Sequence, residues 1–382
     1  MLSGGCYTRG VMSYPPARIG DAVAEVETPA LLLDLDVAER NIVKLQEMTA
    51  GTRAVPRPHA KSHKCPNLAR LQIAHGAVGV CSQKVNEAVA LVDGGVSDVL
   101  LSNQVVDPAK QRRLAALARR ARIGVCVDQA RNVAELSTAA TAAGVELAVL
   151  VEIEVGMGRC GVEPGAPTVE LARKVDAAPN LRFEGLQAYH GSAQHLERPE
   201  QRRQAAQEVA AIVNRTVAAL AAAGLECPTV SGSGSGTCGY DVESGAFTEI
   251  QAGSYVVMDV GYGDCDVGFE HSLFLWSQVM SAPRPATVVL DAGLKGYSAE
   301  SGVPRVAAPA GSGWEGLVVQ GASDEHSKVD VTAAERVPEI GDKLRLIPPH
   351  CDPTVNLHDW LVCIRGEVVV DLWPVSGRGP GL

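Results

Sequence analysis

From about residue 28 to residue 260 the chain alternates short β-branched runs with longer runs rich in Ala, Arg and Glu, whose apolar residues recur at helical spacing. That alternation predicts βα units around a parallel sheet. Nine strand runs are expected: "ALLLDLD", "RAVPRPHAK", "VGVCSQ", "DVLLSN", "RIGVCVD", "LAVLVEIEV", "LRFEGLQAYH", "TVSGSG" and "EIQAGSY". Helical runs such as "PNLARLQIAHG", "QRRLAALARRA", "VAELSTAATAAG" and "AAQEVAAIVNRTVAALAAAG" lie between most of them. Several close on a glycine (Gly76, Gly144, Gly224), the residue that best tolerates the turn past a helix end.

Nine strands is one more than a (β/α)8 barrel uses. Runs two to nine each finish in polar or glycine residues: Lys61, Gln83, Asn103, Asp128, Arg159, Tyr189 with His190, Ser233 with Gly234, and Gly253 with Ser254. In a barrel that edge carries the chemistry, so the first run is the one expected to lie outside it. After about residue 265 the pattern becomes valine-rich runs broken by Gly, Pro and Asp, such as "ATVVLDAGL", "WEGLVVQGA", "DKLRLIPPH" and "WLVCIRGEVVVDLWPV". These predict a β-rich second domain. The expected division is a barrel over 38–265 and a β-rich domain made from 1–37 and 266–382.

Composition narrows the partners. Of the 382 residues 46% are hydrophobic, enough for more than one core, and the formal charge of -10 argues against nucleic acid and against an anionic membrane surface. The basic cluster Arg112, Arg113, Arg119, Arg120 and Arg122 is expected along a solvated helix face. There is no apolar run of membrane-spanning length and no continuous apolar stretch in "MLSGGCYTRGVMSYPPARIG", so a cytoplasmic location is expected. Ten cysteines occur without a CxxC pair, which suggests neither a zinc finger nor a disulfide framework.

In "RPHAKSHK", Lys61 is flanked by His59, His63 and Lys64. Cationic neighbours and partial burial would lower its pKa and free the amine to attack a carbonyl. "SGSGSGT" and "QAGSY" fall on barrel strands seven and eight once the first run is set aside, where backbone N–H groups commonly bind phosphate. Gly234, Gly236 and Gly239 also fit a dinucleotide G-x-G-x-x-G pattern, but "YDVESGAFTEI" is expected to be loop and strand rather than the helix that pattern needs. A carbonyl-reactive lysine and a phosphate site on one face point to pyridoxal 5'-phosphate. Arg159 in "GMGRCG" could face its pyridine nitrogen, with Tyr189 and His190 of "LQAYHG" nearby. If "HCD" at 350–352 is extended, His350 and Asp352 share one face and Cys351 takes the other. A His/Asp pair suits Mn²⁺ or Mg²⁺, and a His/Cys pair would suit Zn²⁺.

Together with "TPALLLDLD", "GVCSQK", "QAGSYVVMD", "DAGLK", "GASDEH" and "PPHCDPTVNLHDW", these motifs resemble the D-threonine aldolase family from about residue 24 to 378. Its relatives are the 3-hydroxy-D-aspartate aldolases and D-serine dehydratases, of alanine racemase fold. The resemblance implies that the first strand joins the C-terminal β domain. It implies that Lys61 carries the cofactor, with Gln83, Arg159 and Tyr189 around its ring. The phosphate would lie on Gly234, Ser235, Gly236, Thr237, Gly253, Ser254 and Tyr255. His350 and Asp352 would hold the metal, since the aldolases carry His-x-Asp and the dehydratases His-x-Cys. The implied reaction cleaves a D-β-hydroxy-α-amino acid such as D-threonine to glycine and an aldehyde. His195 or a water on the metal would take the hydroxyl proton, and Asp324 would orient that water. Dehydration of D-serine or D-3-hydroxyaspartate is the nearest rival; racemization and cofactor carriage are further ones. Relatives of this fold often form homodimers.

Overall fold

The computed structural model describes residues 14–381. Cys6 and the first thirteen residues of the expected 1–37 segment lie outside the described residues. The nine runs appear as β1 (Ala30–Asp34), β2 (Val55–Pro56), β3 (Val80–Ser82), β4 (Asp98–Leu101), β5 (Arg122–Val127), β6 (Leu147–Glu152), β7 (Leu181–Ala188), β8 (Thr229–Gly232) and β9 (Glu249–Ile250). The eight strands β2 to β9 are all parallel, in the order β2-β9-β8-β7-β6-β5-β4-β3. The ends of that order meet. Val78 and Cys81 donate their N–H groups to Pro56 and Pro58 carbonyls at 3.1 and 2.8 Å, and His59 bridges to Cys81 in parallel, so the sheet closes into a barrel. β2 is shorter than the run that predicts it, because Pro56 and Pro58 lack the N–H a ladder needs.

Helix ends follow local chemistry. Asp34 caps the helix Leu35–Thr49 by accepting from Val37 N–H at 3.2 Å, and Asp107 caps Pro108–Leu117 by accepting from Lys110 N–H at 2.9 Å. Gly144 ends Ala130–Ala143 in the left-handed region at φ +64°.

β1 lies outside the barrel, paired antiparallel with β10 (Leu273–Arg284) and parallel with β16 (Trp360–Arg365). Its residues are apolar on both faces because both are covered. Leu31 and Leu33 join the main core, whereas Ala30 and Leu32 pack with Val23, Val26, Val362 and Ile364. The same mostly antiparallel sheet holds β11 (Thr287–Leu290), β12 (Arg305–Val306), β13 (Val318–Ala322), β14 (Ser327–Asp330), β15 (Lys343–Ile347) and β17 (Val368–Pro374). Among the described residues no helix is long and apolar enough to cross a membrane.

The barrel interior is layered. Cys81, Leu100, Cys126 and Leu150 form an apolar cluster of their own on β3 to β6. Toward the strands' N-terminal ends, buried Arg57 binds Asp98 and Glu249, each at 2.7 Å. Arg122 meets Asp98 at 3.1 Å and also pairs with Glu184. Arg122 therefore starts β5 and seals the barrel base; it does not lie on the helix face expected of the basic cluster. Removing one member of a buried ion network strands its partners in low dielectric. Arg57→Ala is expected to cost about 3–5 kcal/mol of stability, checked by urea denaturation against the wild type.

Candidate active site

At the opposite end of the barrel the strand ends surround a cavity of about 750 Å³, open solvent included. Its wall brings together Lys61, Gln83, Arg159, Tyr189, Gly234, Ser235, Gly253 and Ser254, as the motifs predict, with His59, Ser102, Gln187, Gln251 and Tyr262 added. Lys61 stands on the 3-10 turn Ala60–Ser62 just past β2, with Nζ 2.5 Å from Asp352 Oδ2. The amine of the barrel thus reaches the segment between β15 and β16.

This contact overturns the expectation of a lowered lysine pKa. Burial does pull the Lys61 ammonium down, but the Asp352 carboxylate pulls it further up, so it titrates above the ordinary lysine value. In Asp352 burial opposes ionisation, and Lys61 overcomes it, holding the carboxyl well below its usual range. Of the neighbours taken as cations the two histidines are neutral, burial bringing His59 down to about 3 and His63 down to about 4, while Lys64 is spent in an ion pair with Glu87 at 2.9 Å. His59 is a structural part of the cavity wall. Its Nδ1 accepts from Lys61 N–H at 3.4 Å, which leaves Nε2 as the donor, 3.1 Å from Gln83 Oε1 and 3.0 Å from Ser102 Oγ.

Arg159 lies in the loop past β6, its guanidinium 5.6 Å from the Tyr189 ring centroid and 3.9 Å from Glu152 Oε1. Burial pushes the Glu152 and Tyr189 pKa values up. The loop is pinned by Glu154 and Asp128: Glu154 accepts from Gly156 and from Gly158 at 2.8 Å, and Asp128 accepts from Gly161 N–H at 3.2 Å. The floor is neutral and polar. Gln187 and Gln251 exchange amide hydrogen bonds, and Gln251 Nε2 donates to Ser231 Oγ at 2.7 Å.

The two glycine-bearing loops divide into a cavity side and a protein side. Among the described residues none accepts a hydrogen bond from the backbone N–H of Gly234, Ser235, Gly253 or Ser254, and all four line the cavity. Gly236, Thr237 and Tyr255 do not line it. Gly236 N–H donates to Gln194 Oε1 at 3.0 Å. The Thr237 hydroxyl donates to Asp241 Oδ2 at 2.6 Å and accepts from Gln194 Nε2 at 3.0 Å. Tyr255 N–H donates to Ser235 Oγ at 2.9 Å, and its buried hydroxyl accepts from Gln72 at 3.1 Å. Gln194, overlooked in the sequence, explains two of the glycines: a Cβ at Gly234 or Gly236 would stand 2.5 or 2.0 Å from Gln194 atoms. The segment after the loop forms a helix, Cys238–Ser244, where loop and strand were expected. Gly239 lies inside it.

The "HCD" segment is not extended. His350 is the residue before a short helix, Cys351–Val355. The alternation that would set Cys351 apart from the other two therefore does not apply, and all three side chains gather around one carboxylate. His350 Nε2 and Asp352 Oδ1 stand 3.9 Å apart, while Cys351 is fully buried with Sγ 3.3 Å from the same Asp352 oxygen. His350 Nδ1 is held by Glu300. His195 is exposed at the rim, its ring packed against Tyr262 with centroids 4.3 Å apart and planes tilted by 39°, and partial burial lowers its pKa. Asp324 is exposed on the turn between β13 and β14 and takes no part in the hydrogen bonds around His350 and Asp352.

The buried Asp241 gives the glycine loop at 234–237 a pH signature. Burial raises its carboxyl from 3.8 to about 6, against the lowering effect of the Thr237 hydroxyl. An acid whose folded pKa lies above its unfolded value favours the fold while protonated; that stability is complete below 3.8 and is lost as pH rises through about 6. Asp241→Asn cannot ionise. The melting temperature of wild type minus variant is therefore expected to fall across that window and to level off above it.

Comparison with known proteins agrees with this geometry. Residues 33–260 match the family described as alanine racemase, N-terminal domain, and residues 272–364 the family described as putative serine dehydratase domain. The chain is 45% identical to a D-threonine aldolase of Arthrobacter sp, over 97% of this chain and 98% of that one. It is 44% identical to a 3-hydroxy-D-aspartate aldolase of Paracoccus denitrificans, covering 96% of each. Among solved structures, the D-threonine aldolase of Filomicrobium marinum superposes with a TM-score of 0.93 at 45% identity, covering 96% of this chain and 99% of that one.

Proposed function

Because the chain belongs to the D-threonine aldolase family, of alanine racemase fold, we propose that it cleaves D-β-hydroxy-α-amino acids, D-threonine among them, to glycine and an aldehyde. It is an aldehyde-lyase. The fold and the aldolase relatives imply pyridoxal 5'-phosphate, and the cavity fits it: a lysine amine, four unengaged backbone N–H groups for a phosphate, and an arginine over a tyrosine ring line one wall. When bound, the cofactor supplies an electron sink for the bond broken at the substrate's Cα.

The chain's own residues divide the remaining work. Lys61 would carry the cofactor, and without it holds a proton at Nζ. Arg159 would meet the pyridine nitrogen, and Tyr189 and Gln83, which line the same cavity, would flank the ring. His195 accepts the β-hydroxyl proton, a role supported by its rim position and by a pKa lowered through burial. His350 and Asp352 fit a divalent cation as an open pair: the chemistry, one imidazole and one carboxylate, suits Mn²⁺ or Mg²⁺, with water and substrate completing the shell. Such an ion supplies Lewis acidity at the β-hydroxyl. Among the described residues no group of three or more His, Cys, Asp and Glu is placed to hold a metal ion, so the metal reading rests on this pair alone.

The observation that carries the reading is the 2.5 Å contact of Lys61, a residue of the cavity wall, with Asp352, beside which His350 stands at 3.9 Å. Cys351, buried behind the carboxylate, favours cleavage over the dehydratase alternative. The proposal includes a cytoplasmic homodimer. Among the described residues nine cysteines are unpaired, which supports a reducing compartment, and the homodimer rests on the resemblance to proteins of this fold.

Incubation with D-threonine, pyridoxal phosphate and Mn²⁺ is expected to yield acetaldehyde and glycine; 2-oxobutyrate and ammonia would point to dehydration instead. Lys61→Ala should abolish the protein-bound absorbance band, and His195→Ala should lower kcat by about 10²–10⁴. EDTA and His350→Ala should each remove activity. Turnover indifferent to both would exclude the metal.

A further inference from the structure

The helix that presents Asp352 is not capped by its own chain neighbour. His350 occupies the capping position, and its side chain makes no capping hydrogen bond. Its imidazole is instead turned to Glu300 and Asp352. An uncapped first turn so deep in the protein would leave a backbone donor unsatisfied. The partner comes from the barrel. Asp259, 1% exposed, accepts from Cys351 N–H through Oδ2 at 3.0 Å. Through Oδ1, also at 3.0 Å, it accepts from the N–H of Tyr262 and caps the helix Val260–Asp264. The next residue repeats the link, since Val260 N–H donates to the Pro348 carbonyl at 3.0 Å.

One carboxylate therefore fixes two first turns from two domains. One turn sets His350 and Asp352; the other sets Tyr262, against which the His195 ring packs. We propose that Asp259 is a positioning residue that holds the His350/Asp352 pair and the His195/Tyr262 pair at a fixed separation above Lys61. Capping from the barrel leaves the His350 imidazole available for a ligand, a role a self-capping Ser or Asp at that position would not permit. The inference rests on the reading of His350 and Asp352 as a metal pair.

The test uses full-length protein loaded with pyridoxal phosphate, and measures Mn²⁺ dissociation constants by chelator competition and cofactor dissociation by absorbance. Asp259→Asn keeps the volume and one acceptor oxygen; Asp259→Ala keeps neither. Mn²⁺ affinity is expected to fall about ten-fold in Asp259→Asn and up to about a hundred-fold in Asp259→Ala, the range for residues that orient metal ligands, while cofactor affinity changes less than about two-fold. Should Asp259→Ala not fold, Asp259→Asn decides alone. Unchanged Mn²⁺ affinity in Asp259→Asn would overturn the inference while the metal pair stands. Parallel loss of Mn²⁺ and cofactor affinity would overturn it in favour of a general structural role. A wild type that binds no Mn²⁺ would overturn both the inference and the metal reading beneath it.

Discussion

The constraint on which the arrangement depends is that the first strand of the chain belongs to the last sheet. β1 is hydrogen-bonded on both edges, to β10 and β16, before the chain enters the barrel. The second domain is therefore attached to the barrel at both ends of the chain, and its loops cannot swing away from the barrel mouth without breaking a fully buried strand. Leu31 and Leu33 pack into the core shared with the barrel, which adds apolar burial to that attachment. Only with the domain so held can a carboxylate between β15 and β16 face a lysine that follows β2.

Across that junction charge is handled in two different ways. At the barrel base, Arg57, Arg122 and the acids around them are matched inside the protein and leave nothing open for a ligand. At the mouth the matching is sparse. Lys61 and Asp352 balance one another, the histidines beneath are neutral, and the floor is amides and hydroxyls. A polar but nearly uncharged floor can bind a ring without competing for the charge at its edges.

Much of this was legible in the chain. An apolar run with no alternation at residues 30–33 marks a strand covered on both faces, and polar residues closing eight successive runs mark one barrel rim. Lys61, Arg159, Tyr189, His350 and Asp352 could be picked out because each stands in a short motif of unusual composition. What escaped was set by approach in three dimensions. Asp259 reads as a strand-end acid; its partner Cys351 is ninety-two positions away. Gln194 gives no local signal for holding Gly236 and Thr237. The helix at Cys351 is five residues long, too short for periodicity to register, and Pro353 sits in its first turn, where a proline is tolerated because that N–H has no helical partner. The lysine pKa went the other way for the same reason: neighbours in sequence were counted, but the nearest charge came from another domain.

The tether between Gln194 and the glycine loop has an entropic meaning. Amides and hydroxyls that hold Gly236, Thr237 and Tyr255 are satisfied by the protein itself, so the backbone between them is already ordered before any anion arrives. A flexible glycine loop would lose conformational freedom on closing around a phosphate, roughly 1–2 kcal/mol for each residue fixed. Here that loss has been absorbed in folding, and the four remaining N–H groups would meet a phosphate as a preorganised cradle.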